Sequence, residues 1–199
     1  MRAIPDNVGG VSDGYQVPQV ELRPLVDSDW NAVHSWASLE QFCRYQAWGP
    51  NTETQTRDFV REAVASGTSS PRVRFVYAIT YDGNVVGSCE LNLRGGQQGE
   101  VAYGLHPDHW GGGLATTAVA KLLDLGFGEH RLHRIFATCD PRNVASAGVL
   151  KRLAMTHEGR LREVLFIRDG WRDSDMYGLL VHEWAQSQST RGQPHPMRG

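Results

Sequence analysis

At 199 residues, the chain has the length of one compact domain, and its 40% hydrophobic and 21% charged residues are typical of a soluble globular protein. The formal net charge of −2, from 20 Lys+Arg and 22 Asp+Glu, gives no electrostatic reason to bind nucleic acid or an anionic membrane. No apolar run approaches the roughly 20 residues that a membrane span needs.

Both ends of the chain have the composition of tails. Residues 1–18 are rich in Gly, Pro and polar side chains and lack the apolar core of a signal peptide, and residues 186–199 (QSQSTRGQPHPMRG) offer almost nothing apolar to bury. These compositions predict a flexible N-terminal tail over residues 1–18, one ordered domain over residues 19–185 and a disordered C-terminal tail over residues 186–199.

The first half of this domain shows both helical and strand patterns. Apolar residues spaced three and four apart predict helices, and alternating apolar residues predict strands. The predicted elements are a strand at residues 20–25, helices at residues 27–36 and 52–65, and three strands at residues 74–81, 85–93 and 100–105. Asp82-Gly83-Asn84 is typical of a hairpin turn, so the three consecutive strands should form an antiparallel meander.

The second half begins with a helix between two strands. The predicted elements are a helix at residues 113–127, a strand at residues 134–139, a helix at residues 144–152, and strands at residues 155–167 and 174–182 turned at Asp169-Gly170. The run from residue 100 to residue 139 is a βαβ unit, whose two strands should be parallel with a right-handed crossover. The sequence therefore predicts one α/β domain with a mixed, mostly antiparallel sheet, one parallel βαβ unit and helices on both faces.

The most specific local pattern is WGGGLATT at residues 110–117, where a strand enters three glycines and a helix leaves them. Glycines expose backbone N–H groups, and the helix start adds unpaired donors and partial positive charge. Residues 111–116 are therefore predicted to bind a phosphate or diphosphate; an unliganded flexible turn is the alternative. The run completes neither the G-x-G-x-x-G of a dinucleotide fold nor a P-loop.

Both strands of the βαβ unit run into proline, at His106-Pro107 and at Asp140-Pro141. Proline has no N–H to donate, so neighbouring strands cannot continue pairing past it. The two strands are therefore expected to splay at their carboxyl ends beside the glycine turn, where α/β sheets commonly bind ligands. A long, thin cofactor with a diphosphate at one end would fit between them.

These motifs resemble those of the GNAT acetyltransferases. Residues 100–107 (EVAYGLHP) followed by residues 110–115 (WGGGLA) resemble motif A of that superfamily, Q/R-x-x-G-x-G/A, with tryptophan in the Q/R position as in its RimJ/RimL-like branch. Residues 143–153 resemble the motif B of that branch, and residues 171–177 (WRDSDMY) resemble its last strand. The similarity covers roughly residues 20–184.

Two positions depart from the family pattern. Leu150 stands where many members carry a tyrosine that protonates the departing thiolate, and Ala154 replaces a glycine after the short helix. The first change alters the expected mechanism. The second costs about 1 kcal/mol if the residue is left-handed.

The resemblance implies acetyl-CoA as the co-substrate, no metal, and direct transfer to an amine. Backbone groups expected at the coenzyme are those of Leu105, His106, Gly111, Gly112, Gly113, Leu114, Ala115 and Thr116. Asn143 and Ser146 would border the pantetheine and sulfur, with Ser146 stabilising or protonating the thiolate in place of the missing tyrosine; capping a helix start is the alternative for both residues. The N–H of Leu105 or His106 would face the oxyanion.

Acetyl transfer also needs a base, because a primary amine with a pKa of about 8–10 is mostly an ammonium at neutral pH. Glu100 resembles the glutamate that serves as base in several superfamily members, and Glu90 on the adjacent strand is the second candidate on the substrate side. A surface carboxylate on an alternating strand is the alternative for both. Tyr45 and Trp48, between two N-terminal helices, would line the acceptor site or serve as core anchors.

Histidine and cysteine give no metal or nucleophile pattern. The pairs His106/His109 and His130/His133 lack a cysteine or acidic companion in a recognised ligand frame. The three cysteines, at positions 43, 89 and 139, are scattered without a spacing pattern and fit reduced thiols in the cytoplasm.

The predicted function is N-acetylation of a primary amine. The acceptor is either a protein or peptide N-terminus or a small amine such as an antibiotic or polyamine. The rival from another class is a non-catalytic acyl-CoA-binding or sensing domain. Nucleic acid and membrane are not expected partners, and a homodimer is compatible with the resemblance.

Overall fold

A seven-stranded sheet forms the centre of the protein, whose computed structural model describes residues 19–191. The strands are β1 (Val20–Pro24), β2 (Arg74–Tyr81), β3 (Asn84–Leu93), β4 (Gln98–Leu105), β5 (Arg134–Cys139), β6 (Thr156–Ile167) and β7 (Gly170–Leu180). Their order in the sheet is β1-β2-β3-β4-β5-β7-β6. Every neighbouring pair is antiparallel except β4 and β5, which are parallel, so the predicted mixed sheet with one βαβ unit is confirmed.

Helices cover both faces of this sheet. They are α1 (Trp30–Ala37), α2 (Glu40–Cys43), α3 (Glu53–Ser66), α4 (Leu114–Asp124), α5 (Val144–Arg152) and α6 (Val181–Arg191). One core cluster joins the sheet to α4 and α5 and contains the fully buried Leu122, Ile135 and Leu150. The other joins the opposite face to α1 and α3 through Trp36 and Val60. The helices within residues 19–191 include none with the length and hydropathy of a membrane span.

Local sequence chemistry explains several element boundaries. Thr52 and Gln55 form a reciprocal capping box at the start of α3, with Gln55 N–H donating to Thr52 Oγ1 (3.3 Å) and Thr52 N–H donating to Gln55 Oε1 (2.8 Å). Asp82 (φ 49°) and Gly83 (φ 78°) give the β2–β3 hairpin the two left-handed residues that a type I′ turn requires. The predicted hairpin is therefore present.

The β6–β7 hairpin turns one residue earlier than predicted. Ile167 pairs with Gly170, so the two loop residues are Arg168 and Asp169 rather than Asp169-Gly170. Arg168 has a φ of 52°, in the left-handed region that Gly, Asn and Asp usually occupy. A long cationic side chain is therefore held at the hairpin tip by a strained backbone.

The prediction for the C-terminal part of the domain is wrong in two respects. The last strand ends at Leu180 rather than at residue 182, and residues 186–191, predicted as tail, continue α6. Trp184 is the physical reason, because it is buried and stacks on Phe127 with 6.2 Å between ring centroids. Glu183 contributes by accepting a hydrogen bond from the N–H of Leu180 (2.9 Å). The remainder of that tail and the predicted N-terminal tail lie outside the described residues.

The predicted helix at residues 27–36 also begins differently. Asp27–Asp29 form a 3-10 turn, and α1 starts at Trp30. Asp29 explains the turn, since its carboxylate accepts from the N–H of Val26 (2.9 Å) and from both Nη atoms of Arg23 (2.7 Å each). Such contacts from a side chain to nearby backbone favour a tight turn over a regular helical start.

Candidate active site

The three glycines form the turn between β4 and α4. Gly111 (φ 84°) and Gly113 (φ 79°) are left-handed, and Gly113 is the N-cap of α4. The first intrahelical bond runs from Thr117 N–H to Gly113 O (3.1 Å), so the N–H groups of the preceding helical residues have no partner within the helix. A β-carbon at Gly111 or Gly113 would meet nothing within 4 Å, so neither glycine is required by packing. The turn thus presents unobstructed main-chain donors to its surroundings.

A cavity of about 760 Å³ lies against this turn. The residues predicted from the sequence that line it are Tyr45, Leu105, Gly111, Gly113, Leu114, Ala115, Thr116, Asn143 and Ser146. Gly112 and His106, also predicted for the coenzyme, are not among its lining residues. The cavity therefore joins the glycine turn to the start of α5 and to the α2 segment.

The cavity is lined by the carboxyl end of β4, where β4 has already parted from β5. They pair only over three positions, from Gln98 with Arg134 to Glu100 with Phe136. The predicted splay is present, but proline does not cause it, because the strands have separated well before Pro107. Each strand remains paired to its other neighbour, so the opening is confined to the gap between them.

Of the two backbone donors predicted for an oxyanion, only Leu105 faces this opening. His106 N–H donates to Val86 O (2.8 Å), which engages it with β3, so of the two alternatives Leu105 remains. Backbone groups alternate sides along an antiparallel strand, so Leu105, opposite Gly87, directs its N–H away from β3 and towards the gap. The carbonyl of Leu105 accepts a bond from Trp110 Nε1 (2.9 Å), which fixes the peptide beside the glycine turn.

A pair of hydroxyl groups bridges β4 and α5 at the opening. Tyr103 Oη lies 2.9 Å from Ser146 Oγ and donates to Ser146 O at 3.1 Å. Burial raises the pKa of Tyr103 to about 12, although the hydrogen bond with Ser146 opposes the shift, so the phenol is protonated at neutral pH. Burial, with the charges of Asp175 and Asp140, raises the pKa of the nearby Cys139 thiol to about 11. Cys139 is therefore a thiol rather than a thiolate nucleophile.

Asn143 lines the cavity and also caps α5. Its Oδ1 accepts from the N–H of Ser146 (3.1 Å), the standard geometry for an N-cap residue. Both of the uses considered for Asn143 and Ser146 are thus compatible with the structure: they set the helix start and they border the cavity.

The two predicted carboxylates do not line the cavity. Glu100 lies on the same face of β4 as Gly104, a lining residue, but four residues away, which is about 13 Å along a strand. Its carboxylate accepts a bond from Arg94 Nε (2.9 Å). Glu90 is paired with Arg74 Nε (2.8 Å). Both carboxylates are therefore paired with an arginine and lie outside the cavity wall.

The acceptor-side predictions separate into one cavity residue and one core residue. Tyr45 lines the cavity, with the Arg142 guanidinium 5.6 Å from its ring centroid. Trp48 instead packs in the second core cluster, with ring centroids 4.9 Å from Phe59 and 6.2 Å from Phe42. Of the two uses considered for Trp48, acceptor-site residue or core anchor, its packing agrees with the core anchor.

The structure places the two departures from the family pattern in different settings, one in the core and one in an exposed turn. Leu150 is fully buried in the first core cluster, so its position serves the core and not the cavity. Ala154 has a φ of 61° and follows α5 in a Schellman motif, with Met155 N–H donating to Leu150 O (3.1 Å) and Ala154 N–H to Lys151 O (3.0 Å). The family glycine is thus replaced by alanine in a strained conformation.

The lining residues that sequence reasoning did not assign to the site include Arg44, Tyr103, Arg142 and Arg152. Arg152 lies beside the glycine turn, because its Nε donates to Thr116 Oγ1 (3.3 Å). The signal for Tyr103 was its alternation with Leu105, two residues further along β4, which puts both side chains on one face of the strand. The arginines gave no comparable signal, since isolated arginines are ordinarily surface residues.

No group of three or more metal-ligating side chains is present in residues 19–191. The three cysteines at positions 43, 89 and 139 are free and buried.

Known proteins resemble this chain in sequence. Residues 19–156 match the model of the acetyltransferase (GNAT) domain family. The chain is 30% identical over 170 residues to the uncharacterized N-acetyltransferase p20 of Bacillus licheniformis, covering 84% of this chain and 96% of the relative. It is 25% identical over 179 residues to the spermidine N(1)-acetyltransferase of Escherichia coli K12, covering 87% and 92%.

Solved structures agree with this grouping. A GNAT-family acetyltransferase from Bacillus anthracis superposes with a TM-score of 0.73 at 28% identity, covering 82% of this chain and 96% of that one. RimL, a ribosomal L7/L12 α-N-protein acetyltransferase solved with coenzyme A, has the same fold, with a TM-score of 0.74 at 19% identity and coverage of 82% and 95%. The chain therefore belongs to the GNAT acetyltransferase family and is an N-acetyltransferase.

Proposed function

We propose that the protein transfers an acetyl group from acetyl-CoA directly to a primary amine. The observation that carries the proposal is the cavity of about 760 Å³ bounded by the free donors of the glycine turn at one end and by Tyr103 and Ser146 in the strand opening. Solved relatives with this fold are described with coenzyme A or acetyl-CoA bound. Coenzyme A supplies the activated acyl group, and the chain supplies position and electrostatics.

The diphosphate would be held at the N-terminus of α4. The backbone N–H groups of residues 111–116 and the positive end of the helix dipole suit a dianionic group. Arg152 adds a full positive charge, since its guanidinium reaches Thr116 in the first turn of that helix. We propose that Arg152 contacts a phosphate of the coenzyme, which sequence reasoning did not predict.

At the strand opening, the chain stabilises the charges that develop during transfer. The amine nitrogen forms a bond to the thioester carbonyl carbon, and the N–H of Leu105 is directed to stabilise the oxyanion. When the C–S bond breaks, the Ser146 hydroxyl donates a proton to the departing thiolate and takes one from the Tyr103 phenol. The phenol then recovers a proton from solvent water, and the proton taken from the amine leaves through Glu100. This pair takes the place of the tyrosine that Leu150 replaces.

The amine must lose a proton before it attacks. We propose Glu100 as the base, acting through water because it lies on the same face of β4 as the lining residue Gly104 but is not itself part of the cavity wall. Replacing Glu100 by Gln should lower kcat by about 100-fold or more and leave coenzyme affinity unchanged. A variant with the wild-type rate from pH 6 to 9 would remove Glu100 from this role.

Two acceptor classes compete. The resemblance to the RimJ/RimL-like branch favours a peptide N-terminus over a small amine, while one relative is a spermidine acetyltransferase. Release of free coenzyme A from acetyl-CoA, measured over a panel of N-terminal peptides and small amines, tests the reaction and discriminates these classes. Turnover on one class with a mass increase of one acetyl group on the amine is the expected result.

One observation favours a second function, that of a non-catalytic acyl-CoA sensor. Among the described residues, no Asp or Glu lines the cavity, so no carboxylate base is in direct reach of a bound amine. Coenzyme binding without turnover on any amine in the panel would support this alternative and refute the transfer reaction.

A further inference from the structure

The arginine side chains that line the cavity have no acidic counterpart in its wall. Its lining includes three arginines, Arg44, Arg142 and Arg152, and within residues 19–191 it includes no Asp or Glu. Two of the three have an evident local role. Arg142 is paired with Asp140 through Nε (2.8 Å) and Nη2 (2.6 Å), and Arg152 lies at the glycine turn with Thr116. Arg44 remains, on α2's side of the cavity, and it has no carboxylate partner among the described side chains.

Arg44 also borders a second recess, which we call the side recess. This recess has a volume of about 580 Å³ and is lined by Glu40, Gln41, Arg44, Pro50 and Arg168. Gln41 and Arg44 line both the side recess and the main cavity, so the two spaces adjoin. The two guanidinium groups outnumber the one carboxylate of the side recess, which leaves it with a net positive charge.

Arg168 is fixed in this position. Its Nη2 donates to Cys43 O and to Gly49 O, each at 2.9 Å, so the tip of the β6–β7 hairpin is attached to the loop after α2. Both partners are carbonyl groups, so its charge is not neutralised by them, and a guanidinium has five N–H donors of which these contacts use only part. The left-handed φ of 52° at Arg168 shows that a strained backbone supports this placement.

We propose that the acceptor amine carries an anionic group, a carboxylate or a phosphate, which Arg44 and Arg168 bind in the side recess while the amine enters the main cavity. Guanidinium groups bind both anions through charge-assisted hydrogen bonds. A polycation such as spermidine is disfavoured, because its further ammonium groups would meet like charge beside Arg44. This inference rests on the proposed transfer reaction and narrows its acceptor.

Matched acceptors test the inference. The dipeptide Ser-Ala and its C-terminal amide differ in one carboxylate, O-phosphoethanolamine and ethanolamine differ in one phosphate, and spermidine represents polycations. We expect the anionic member of at least one pair to have a kcat/KM about 10- to 100-fold above its neutral partner, and spermidine to be poorer still. The pair showing the preference identifies the anion as carboxylate or phosphate.

Variants then assign the preference to the side recess. Arg44→Gln should raise KM for the anionic acceptor by about 10-fold or more and remove the advantage of that acceptor over its neutral partner. KM for acetyl-CoA should stay unchanged. Arg44→Lys should restore part of the preference for the anionic acceptor. Arg61→Gln is the matched control, because Arg61 is an exposed arginine on α3 paired only with Asp58. Equal or better use of the neutral amines or of spermidine by the wild type would overturn the inference without affecting the transfer reaction.

Binding provides the readout if no acceptor turns over. Titration of O-phosphoethanolamine and of Ser-Ala into the protein saturated with coenzyme A should give saturable heat that Arg44→Gln abolishes. Absence of turnover with that result refutes the transfer reaction and retains the anion site. Absence of both, or binding unaffected by Arg44→Gln, overturns the anion site.

Discussion

Replacing Gly113 by Ala tests how much the shape of the glycine turn contributes to protein stability and to coenzyme affinity. Gly113 has a φ of 79°, and a β-carbon added there would meet nothing within 4 Å, so the expected penalty is conformational and not steric. Holding a non-glycine residue in the left-handed region costs about 1–2 kcal/mol. The variant therefore measures how strongly the backbone of the turn is fixed.

That penalty can be observed in either of two ways. If the turn keeps its shape, the free energy of unfolding falls by about 1–2 kcal/mol, and Tm falls by about 2–8 °C for a chain of this size. If the turn relaxes instead, the coenzyme must restore its shape, and the dissociation constant for coenzyme A rises by about 5- to 30-fold. Urea unfolding of the free protein and calorimetric titration of coenzyme A together measure both losses.

Gly112→Ala is the control for this experiment. Gly112 is not in the left-handed region, and a β-carbon there would lie 4.0 Å from Leu114 Cγ, an ordinary contact. Its stability should be unchanged or slightly higher than that of the wild type, since alanine restricts the unfolded chain. The reasoning would be refuted if Gly113→Ala lost neither stability nor coenzyme affinity relative to Gly112→Ala.

Three further variants test the site and its support. Tyr103→Phe should lower kcat about 100-fold in steady-state assays with KM for acetyl-CoA unchanged, because it removes the proton source of Ser146; a wild-type kcat would exclude this role. Ala154→Gly should raise the free energy of unfolding by about 1 kcal/mol in urea titrations, because it relieves the left-handed φ at an exposed position; no gain would show that this residue is unstrained. The hydrogen bonds and charge of Arg142 hold the pKa of Asp140 below its ordinary value, so this contribution to stability is present above the unfolded pKa of about 3.9 and is lost as pH falls through the lower folded pKa. Asp140→Asn should therefore flatten the fall in stability below about pH 4, and an unchanged acid profile would contradict the assignment.

Local chemistry made much of the fold predictable. The Asp82-Gly83 turn depends on neighbouring residues alone, and the structure has it as predicted. The helix predicted to begin near residue 52 likewise owes its start to the local pair Thr52 and Gln55. The glycine run at residues 111–113 could be predicted as a turn that exposes its N–H groups for the same reason, because the conformation of a turn is set by its own residues.

Features that depend on distant contacts were not predictable. The Tyr103–Ser146 hydroxyl pair joins residues 43 positions apart, and the Arg168 contacts span more than 100 positions. The helix containing Trp184 was missed because a single tryptophan decides its docking within a polar stretch. Trp48 was ambiguous between cavity and core for the same reason: an aromatic residue suits both, and only tertiary packing selects one.

The ion pair of Glu100 with Arg94 shows a further limit of sequence reasoning. The sequence correctly predicts that Glu100 lies on the strand leading to the glycine turn. Its distance from the cavity, however, depends on how β4 runs past the opening. A pattern identifies the strand and the face, whereas the reach of a side chain follows from the assembled sheet.

Calorimetric titration of coenzyme A, compared with pantetheine, tests the central claim that the main-chain amides after β4 bind the coenzyme diphosphate. Pantetheine lacks the diphosphate and the adenosine 3′-phosphate attached to it. Two charge-assisted hydrogen bonds to the diphosphate alone contribute about 3 kcal/mol or more, so pantetheine should bind at least about 100-fold more weakly than coenzyme A. Saturable heat for coenzyme A with that difference is the expected result. No heat for coenzyme A up to about 1 mM, or equal affinity for pantetheine, would contradict the account.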